Sequence, residues 1–376
     1  MNENNYRICT QTIMDTTADP DIRFDENGVS NYVDYYKKLI SQRVPTPDVA
    51  PKKLKDIIDK IKSAGKGKEY DCIIGVSGGV DSTYVAYLVK EMGLRPLSVH
   101  FDNGWNSELA VSNIEKVLKL LHIDLYTYVV DWDEYKDLQL SFLKASTPDG
   151  EIPTDHAIYA LLFQMANKYG IKYIIKGQNI KTEGILAPSW AQGHLDWKYI
   201  RSVQKLFGTK KLKSFPHLSL FKVFYFLGIK QIKAIAILDY TDYNKKTAMD
   251  VLQNKLGWIY YGGKHYESVY TRFFQGYILP KKFHIDKRRG HLSTLICSGE
   301  ITREEALEEI KKDPYPNEEL KKQDIEFAAK KLGISSDDFN NIMTSPIRSI
   351  NDYPNITGTL NFLRSIYDSI RTKSIQ

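Results

Sequence analysis

Gly75-Val76-Ser77-Gly78-Gly79-Val80-Asp81-Ser82 joins the end of one apolar run to the start of an amphipathic one. Before it stands Cys72-Ile73-Ile74, short and bounded by Asp71 and Gly75, which predicts a buried strand. After it Val85, Leu88, Val89 and Met92 recur at i, i+3, i+4 and i+7, which predicts a helix, and Gly93 supplies a stop. Two adjacent glycines at such a strand-to-helix turn let the backbone approach a ligand with no Cβ in the way. The free N–H groups of the first helical turn then face that ligand, and such a nest suits phosphate. No Gly-Lys-Ser/Thr follows, so this is not the Walker arrangement.

The spacing Ser-Gly-Gly-x-Asp-Ser resembles the PP-loop of the ATP pyrophosphatases. Ser77, Gly78, Gly79, Asp81 and Ser82 match it position for position. The resemblance implies that the stretch from Ser77 to Ser82, Val80 included, holds the pyrophosphate end of ATP while a substrate oxygen attacks the α-phosphate. It also implies Mg2+ placed with the help of Asp81. Read alone, the glycine pair would serve as a turn in any α/β protein, with Asp81 favoured by the helix dipole.

A chain of 376 residues has room for a large core and an appendage. Its formal charge of +6 favours anionic ligands without demanding nucleic acid, and its 25 tyrosines suit sugar or nucleotide surfaces. Cys9, Cys72 and Cys297 are scattered and odd in number, so no disulfide framework is expected and a reducing cytoplasm fits. Met1-Asn2-Glu3-Asn4-Asn5 lacks the basic and apolar regions of a signal peptide. The apolar stretch from Leu218 to Ile229 contains Lys222 and is too short to span a bilayer, which predicts a buried helix and no membrane partner.

Strands and helices alternate. Runs at 95–101, 125–130, 172–176 and 232–238 read as further strands, with helical patterns at 52–62, 110–121, 132–144, 196–207, 218–228 and 244–256. Thr154 reads as an N-cap for a helix buried through Ile158, Leu161, Leu162 and Met165. The expected fold is α/β: a Rossmann-like, mostly parallel sheet of the PP-loop type. Residues 1–45 form an irregular N-terminal strap, residues 46–262 the ATP-binding domain, and residues 263–376 a helical C-terminal extension contributing basic substrate or phosphate residues. Thr302 with Glu305, and Ser335 with Asp338, look like capping boxes within that extension.

A second resemblance runs along nearly the whole chain. Ile8-Cys9-Thr10-Gln11-Thr12, Met14-Asp15-Thr16-Thr17 and Phe24 to Asn31 are similar to the opening of the N-acetyl sugar amidotransferases, the WbpG/PseA-type enzymes of bacterial surface-polysaccharide biosynthesis. So are Pro153-Thr154-Asp155-His156, Pro188-Ser189-Trp190, and the block from Gly257 through Tyr260-Tyr261-Gly262-Gly263-Lys264-His265-Tyr266-Glu267-Ser268, Thr271-Arg272-Phe273-Phe274-Gln275, Leu279-Pro280 and Asp286-Lys287-Arg288-Arg289. Relatives of this kind carry two Cys-x-x-Cys pairs near the start, a zinc knuckle. Only Cys9 stands here; Thr12, Ser30 and Val33 occupy the other positions, so no zinc is expected.

By resemblance to PP-loop enzymes, the backbone around His100 and Phe101 contacts adenine while Asp102 and Asn103 face ribose or substrate; a simple Asn-Gly turn is the alternative for those side chains. Gly177 ends a strand and would let ATP approach, and Glu183 would face substrate or magnesium, or start a helix on the surface. His156 reads as a substrate contact or a first-turn surface histidine. Lys264 and Arg272 would offset negative charge developing at phosphate. His265, Glu267, Lys287 and Arg288 complete the expected substrate contacts, although Lys287 to Arg289 taken alone is also a solvated basic face.

The family resemblance implies conversion of a sugar acetamido group to an acetamidino group with ATP and ammonia. The substrate would be a sugar nucleotide such as a UDP-linked diacetamido sugar. Ammonia would come from a separate glutaminase and its barrel-shaped partner, because no cysteine here has a glutaminase setting. A tRNA-modifying PP-loop enzyme is the alternative, though sulfur transfer would want a placed cysteine pair. A non-catalytic ATP-sensing scaffold that docks a glutaminase is the other.

Overall fold

The computed structural model describes residues 6–19, 21–264, 266–360 and 362. Its strands are β1 (Cys72–Gly75), β2 (Pro96–Asp102), β3 (Asp124–Val129), β4 (Tyr173–Lys176) and β5 (Lys233–Ala236). They form one sheet in the order β3-β2-β1-β4-β5, every pair parallel. Parallel neighbours need long crossovers. These come from α3 (Val80–Glu91), α4 (Glu108–Leu120), α5 (Trp132–Ala145), α6 (Ile152–Lys168), α7 (Ile180–Glu183), α8 (Trp197–Phe207) and α9 (Leu220–Phe224), while α1 (Asn31–Arg43) and α2 (Ala50–Gly65) precede the sheet. After β5 come α10 (Lys245–Leu256), α11 (Val269–Phe273), α12 (Arg288–Cys297), α13 (Arg303–Lys311), α14 (Glu318–Leu332) and α15 (Ser336–Thr344). The α/β class, the parallel sheet and the helical C-terminal part are as the sequence implies.

A central parallel strand is covered on both faces and so reads as a continuous apolar run. In β1, Cys72 and Ile74 join a core built with residues of α2, α3, α4 and α10, while Ile73 enters the opposite core with α5, α6 and α8. All three are fully buried; each isoleucine contributes about 1.5–3 kcal/mol from burial. Helix starts are fixed locally: Ser107, Asp131, Asn179 and Asn244 each accept a backbone N–H from the first turn of the helix they precede. Both capping boxes, Thr302 with Glu305 and Ser335 with Asp338, are formed.

Four expectations need correction. The strap is not irregular throughout, because residues 31–43 make α1, which buries Tyr32, Val33 and Tyr36. Thr154 is not an N-cap: α6 starts at Ile152, and the Thr154 hydroxyl pairs with Tyr135 Oη at 2.5 Å. The fifth strand ends at Ala236 and tightens into a 3₁₀ turn over Ile237–Tyr240. The 218–229 stretch is not a buried helix: it is α9 followed by a π-helical turn, and Phe221 and Phe224 are exposed.

The strap closes against the C-terminal helices. Ile13 packs with Leu292 and Ala306, Arg289 pairs with Asp15 at 2.7 Å, and Arg303 donates to the Cys9 and Thr12 carbonyls. Sγ of Cys9 accepts from the N–H groups of Thr12 (3.4 Å) and Ser30 (3.2 Å). Burial works against the Cys9 thiolate, but these donors outweigh it and lower the thiol's pKa. Hydrogen bonds and packing hold this part of the strap.

Candidate active site

Strand order reverses direction at β1, with β2 on one side and β4 on the other, and such a switch point at the carboxyl ends of the strands is where open α/β sheets bind ligands. Ser77 to Ser82 lies there. Gly78 has φ +83°, and a Cβ on it would meet the Ala110 carbonyl oxygen at 2.8 Å, so no larger residue fits. The loop holds itself in shape: Ser82 Oγ accepts from Ser77 N–H (3.3 Å), contacts Ser77 Oγ (3.2 Å) and donates to the Gly79 carbonyl (3.2 Å). Trp258 Nε1 donates to the Gly78 carbonyl (3.1 Å).

The residues expected to touch adenine and ribose mostly buttress this loop. Nδ1 of His100 donates to the Val76 carbonyl (2.8 Å), and its Nε2 accepts from Asn106 (3.0 Å). Phe101 is buried, stacked on Tyr128. Asp102 accepts from Gly104 N–H (2.8 Å), the plain turn. Asn103 is buried and spends its side chain on Tyr135, Thr154 and Trp105 N–H, so it is not placed as a substrate ligand. Gly177 sits at the switch point, but a Cβ there would lie 3.0 Å from Ser82 N; its smallness admits the first turn of α3 rather than ATP.

Charged groups converge on the loop. Tyr243 donates a hydrogen bond to Oδ1 of Asp81. Burial, and then the neighbouring Glu183 carboxylate, raise the Asp81 pKa, against the pull of Tyr243, Lys245 and Lys264. Lys264 Nζ lies 3.2 Å from Glu183 Oε1 and 3.2 Å from His291 Nδ1, which also reaches the Thr182 carbonyl at 3.0 Å. Burial and the Lys264 ammonium lower the Lys245 pKa, although Asp81, Glu183 and Glu267 oppose this. Burial raises the pKa of Glu300, which the Lys245 backbone N–H reaches. Asp81, Glu183, Lys264 and Glu267 are thus brought together. Tyr243, Lys245, His291 and Glu300 were missed by the sequence reading. For Tyr243 and Lys245 a signal existed: they follow the carboxyl end of β5, at the edge where ligands bind.

A second cluster extends from this one. Lys287 Nζ stands 3.6 Å from Glu151 Oε2, to which Gln275 also donates (2.7 Å). Burial alone would pull Lys287 down, yet Glu151, Asp149 and Asp155 hold its pKa above the usual value. Burial pushes the Asp149 carboxyl up to about 6. Asp155 keeps surface exposed to solvent, but desolvation by the surrounding protein first, and then the Asp149, Glu151 and Glu183 carboxylates, push its carboxyl up to about 8 against the pull of Lys287. Glu183 therefore belongs electrostatically to both clusters.

Three expected site residues lie elsewhere. Arg272 is locked to Asp324 by two bonds of 2.6 and 2.8 Å, with Tyr266 under its guanidinium, so it ties α11 to α14 instead of clamping an anion. Arg288 grips Asp286 and the Lys312 carbonyl, a structural staple. His156 is a core residue: fully buried, stacked on Trp197 and Phe215, donating from Nδ1 to the His194 carbonyl and accepting Leu218 N–H at Nε2. Burial lowers its pKa to about 4. His265 lies outside the described residues.

Among the described residues no group of three or more His, Cys, Asp or Glu is arranged to hold a metal ion. Mg2+ commonly needs only one or two carboxylates plus substrate phosphates, and the mutually repelling pair Asp81 and Glu183 fits that demand.

Sheet order, switch-point loop and converging charges define a PP-loop-type α/β protein. Residues 267–367 match the family model described as LPS biosynthesis protein WbpG-like, C-terminal domain. The chain is 25% identical over 281 residues to the uncharacterized protein MJ1599 of Methanocaldococcus jannaschii, covering 73% of this chain and 83% of that protein. It is 25% identical over 118 residues to the tRNA-specific 2-thiouridylase MnmA 2 of Fusobacterium nucleatum, covering 30% of this chain and about a third (34%) of the thiouridylase. Against the solved structure of NMN synthetase from Francisella tularensis it aligns at 16% identity with a TM-score of 0.28, over 60% of this chain and 87% of the synthetase. Among the described residues no helix is long and apolar enough to cross a membrane.

Proposed function

We propose that the protein is an ATP-dependent, AMP- and pyrophosphate-forming amidotransferase that converts an N-acetyl group of a sugar nucleotide to an acetamidino group. The observation that carries this reading is the joining of a switch-point PP-loop, faced by Asp81, Lys245 and Lys264, to a WbpG-like C-terminal domain in one chain. Loop and domain support an ATP-using PP-loop enzyme; the sugar amide and the ammonia are the finer part of the proposal.

The chemistry explains why ATP is needed. An amide carbonyl is a poor electrophile, and its oxygen cannot leave as it stands. The amide oxygen attacks the α-phosphorus, the bond to the pyrophosphate bridge breaks, and an O-adenylyl imidate forms. Ammonia then adds to the imidate carbon and AMP departs with the former amide oxygen, leaving the amidine and a proton. The N–H groups from Ser77 to Ser82 bind the pyrophosphate end, and Lys245 and Lys264 offset charge growing on it. Asp81 and Glu183 would hold Mg2+, which when bound neutralises phosphate charge. Lys287, with Glu151, Asp149 and Asp155, offers charged and hydrogen-bonding groups for the sugar nucleotide. A separate glutaminase with its barrel partner supplies the ammonia.

The test uses a UDP-linked diacetamido sugar whose amide oxygen carries an isotopic label, with ATP, Mg2+ and an ammonium salt. Label recovered in AMP, with pyrophosphate released, supports the reading. ADP and orthophosphate as products, or pyrophosphate release only with tRNA, would overturn it.

A further inference from the structure

The nest assigned above to the pyrophosphate end of ATP is filled by the chain's own oxygen atoms. Oη of Tyr261 and the Glu267 carboxylate both lie beside the Gly79-Val80 turn at the start of α3. A Cβ on Gly79 would stand 3.2 Å from Glu267 Oε1 and 3.5 Å from Tyr261 Oη, so both oxygens lie against the bare face of the glycine turn. These contacts come from chain anchored on either side. Asn113 exchanges bonds of 2.8 and 2.9 Å with the Ile259 backbone, two residues before Tyr261. Ser107 N–H donates to the Glu267 carbonyl at 2.8 Å.

Their chemistry suits the position. Buried N–H groups at a helix start require an acceptor, and a carboxylate next to a phenol oxygen supplies both the acceptor and the negative charge that such a nest attracts. A phosphate cannot share that space, because the two oxygens already lie against the Gly79 turn and the Glu267 charge would repel it. Lys245 feels Glu267 together with Asp81, so a counter-charge for a displaced carboxylate stands in the same site.

Resting on the PP-loop reading, we propose that Tyr261 and Glu267 are stand-ins for phosphate. They lie against the glycine turn and surrender it when a pyrophosphate group enters, so that phosphate affinity is set by competition with them. What the phenol hydroxyl contributes there is lost once pyrophosphate is bound.

The full chain and its Tyr261→Phe and Glu267→Gln variants would be titrated with inorganic pyrophosphate by calorimetry, and their thermal midpoints compared without and with saturating pyrophosphate. Tyr261→Phe should bind about two- to tenfold more tightly, the range expected for release of one ordinary hydrogen bond. Its midpoint should be lowered only in the absence of pyrophosphate. Glu267→Gln should also bind more tightly, and it serves alone if the phenylalanine variant folds poorly. Unchanged or weaker binding by the variants overturns the stand-in role while leaving the phosphate site intact. No binding by any of the three proteins overturns the PP-loop reading, and this proposal with it.

Discussion

Nζ of Lys264 lies 3.2 Å from Oε1 of Glu183. The pair joins the segment after α10 to the short helix after β4, and so brings a cation from the glycine-rich stretch at 262–263 to the same edge of the sheet as Asp81. Its partners are only partly exposed, at 25% and 30% of their side-chain area, and the pair's worth lies in placement more than in stability.

Asp81→Asn should leave the fold intact and reduce pyrophosphate release at least about a hundredfold, since it removes charge from the centre of the site. Lys245→Met should do the same to turnover. A near-normal rate in either variant would remove that residue from the mechanism.

Breaking the Arg272–Asp324 pair should destabilise rather than disarm. The side chains are 12% and 5% exposed, and removing one partner of a buried ion pair typically costs about 3–5 kcal/mol. Arg272→Ala and Asp324→Ala should therefore both lower the thermal midpoint by several degrees. Loss of turnover in Arg272→Ala with an unshifted midpoint would restore Arg272 to the chemistry.

His156 predicts a pH dependence of stability. Burial depresses its folded pKa from 6.5 to about 4, so between those values the unfolded chain binds a proton that the folded chain refuses. Its contribution is fully present above about pH 6.5 and is lost as the pH falls toward about 4. Denaturation midpoints measured across that window should decline on acidification, and less steeply in His156→Gln if that variant folds.

The strap should bind no structural zinc. Thr12, Ser30 and Val33 stand at the positions where thiolates would be needed, and Cys9 Sγ already accepts the N–H groups of Thr12 and Ser30. Elemental analysis showing about one equivalent of retained zinc per chain would contradict this.

Ammonium salts should support amidine formation by the isolated protein, and glutamine alone should not. Cys9 and Cys72 are buried and Cys297 is partly so; burial raises the Cys72 thiol and pushes Cys297 up to about 11. Neither is a ready nucleophile. Efficient glutamine hydrolysis by this chain would defeat the expectation of a separate glutaminase.

What the sequence determined by itself was whatever rests on neighbours along the chain. The PP-loop, the two-faced strand at Cys72-Ile73-Ile74, the αL stop at Gly257 and both capping boxes depend on periodicity, side-chain caps and glycine φ, all of which act within a few residues. Tertiary structure alone decided which charges met. Arg272 reads as an anion clamp until Asp324, 52 residues away, takes its guanidinium; His156 reads as a substrate contact or a surface group until Trp197 and Phe215 enclose it. Lys245 looks like any helix-start lysine until Asp81, Glu183 and Lys264 surround it. The physical reason is that a side chain's electrostatic role is set by what desolvates and pairs it, and in a doubly covered parallel sheet those partners come from distant crossovers.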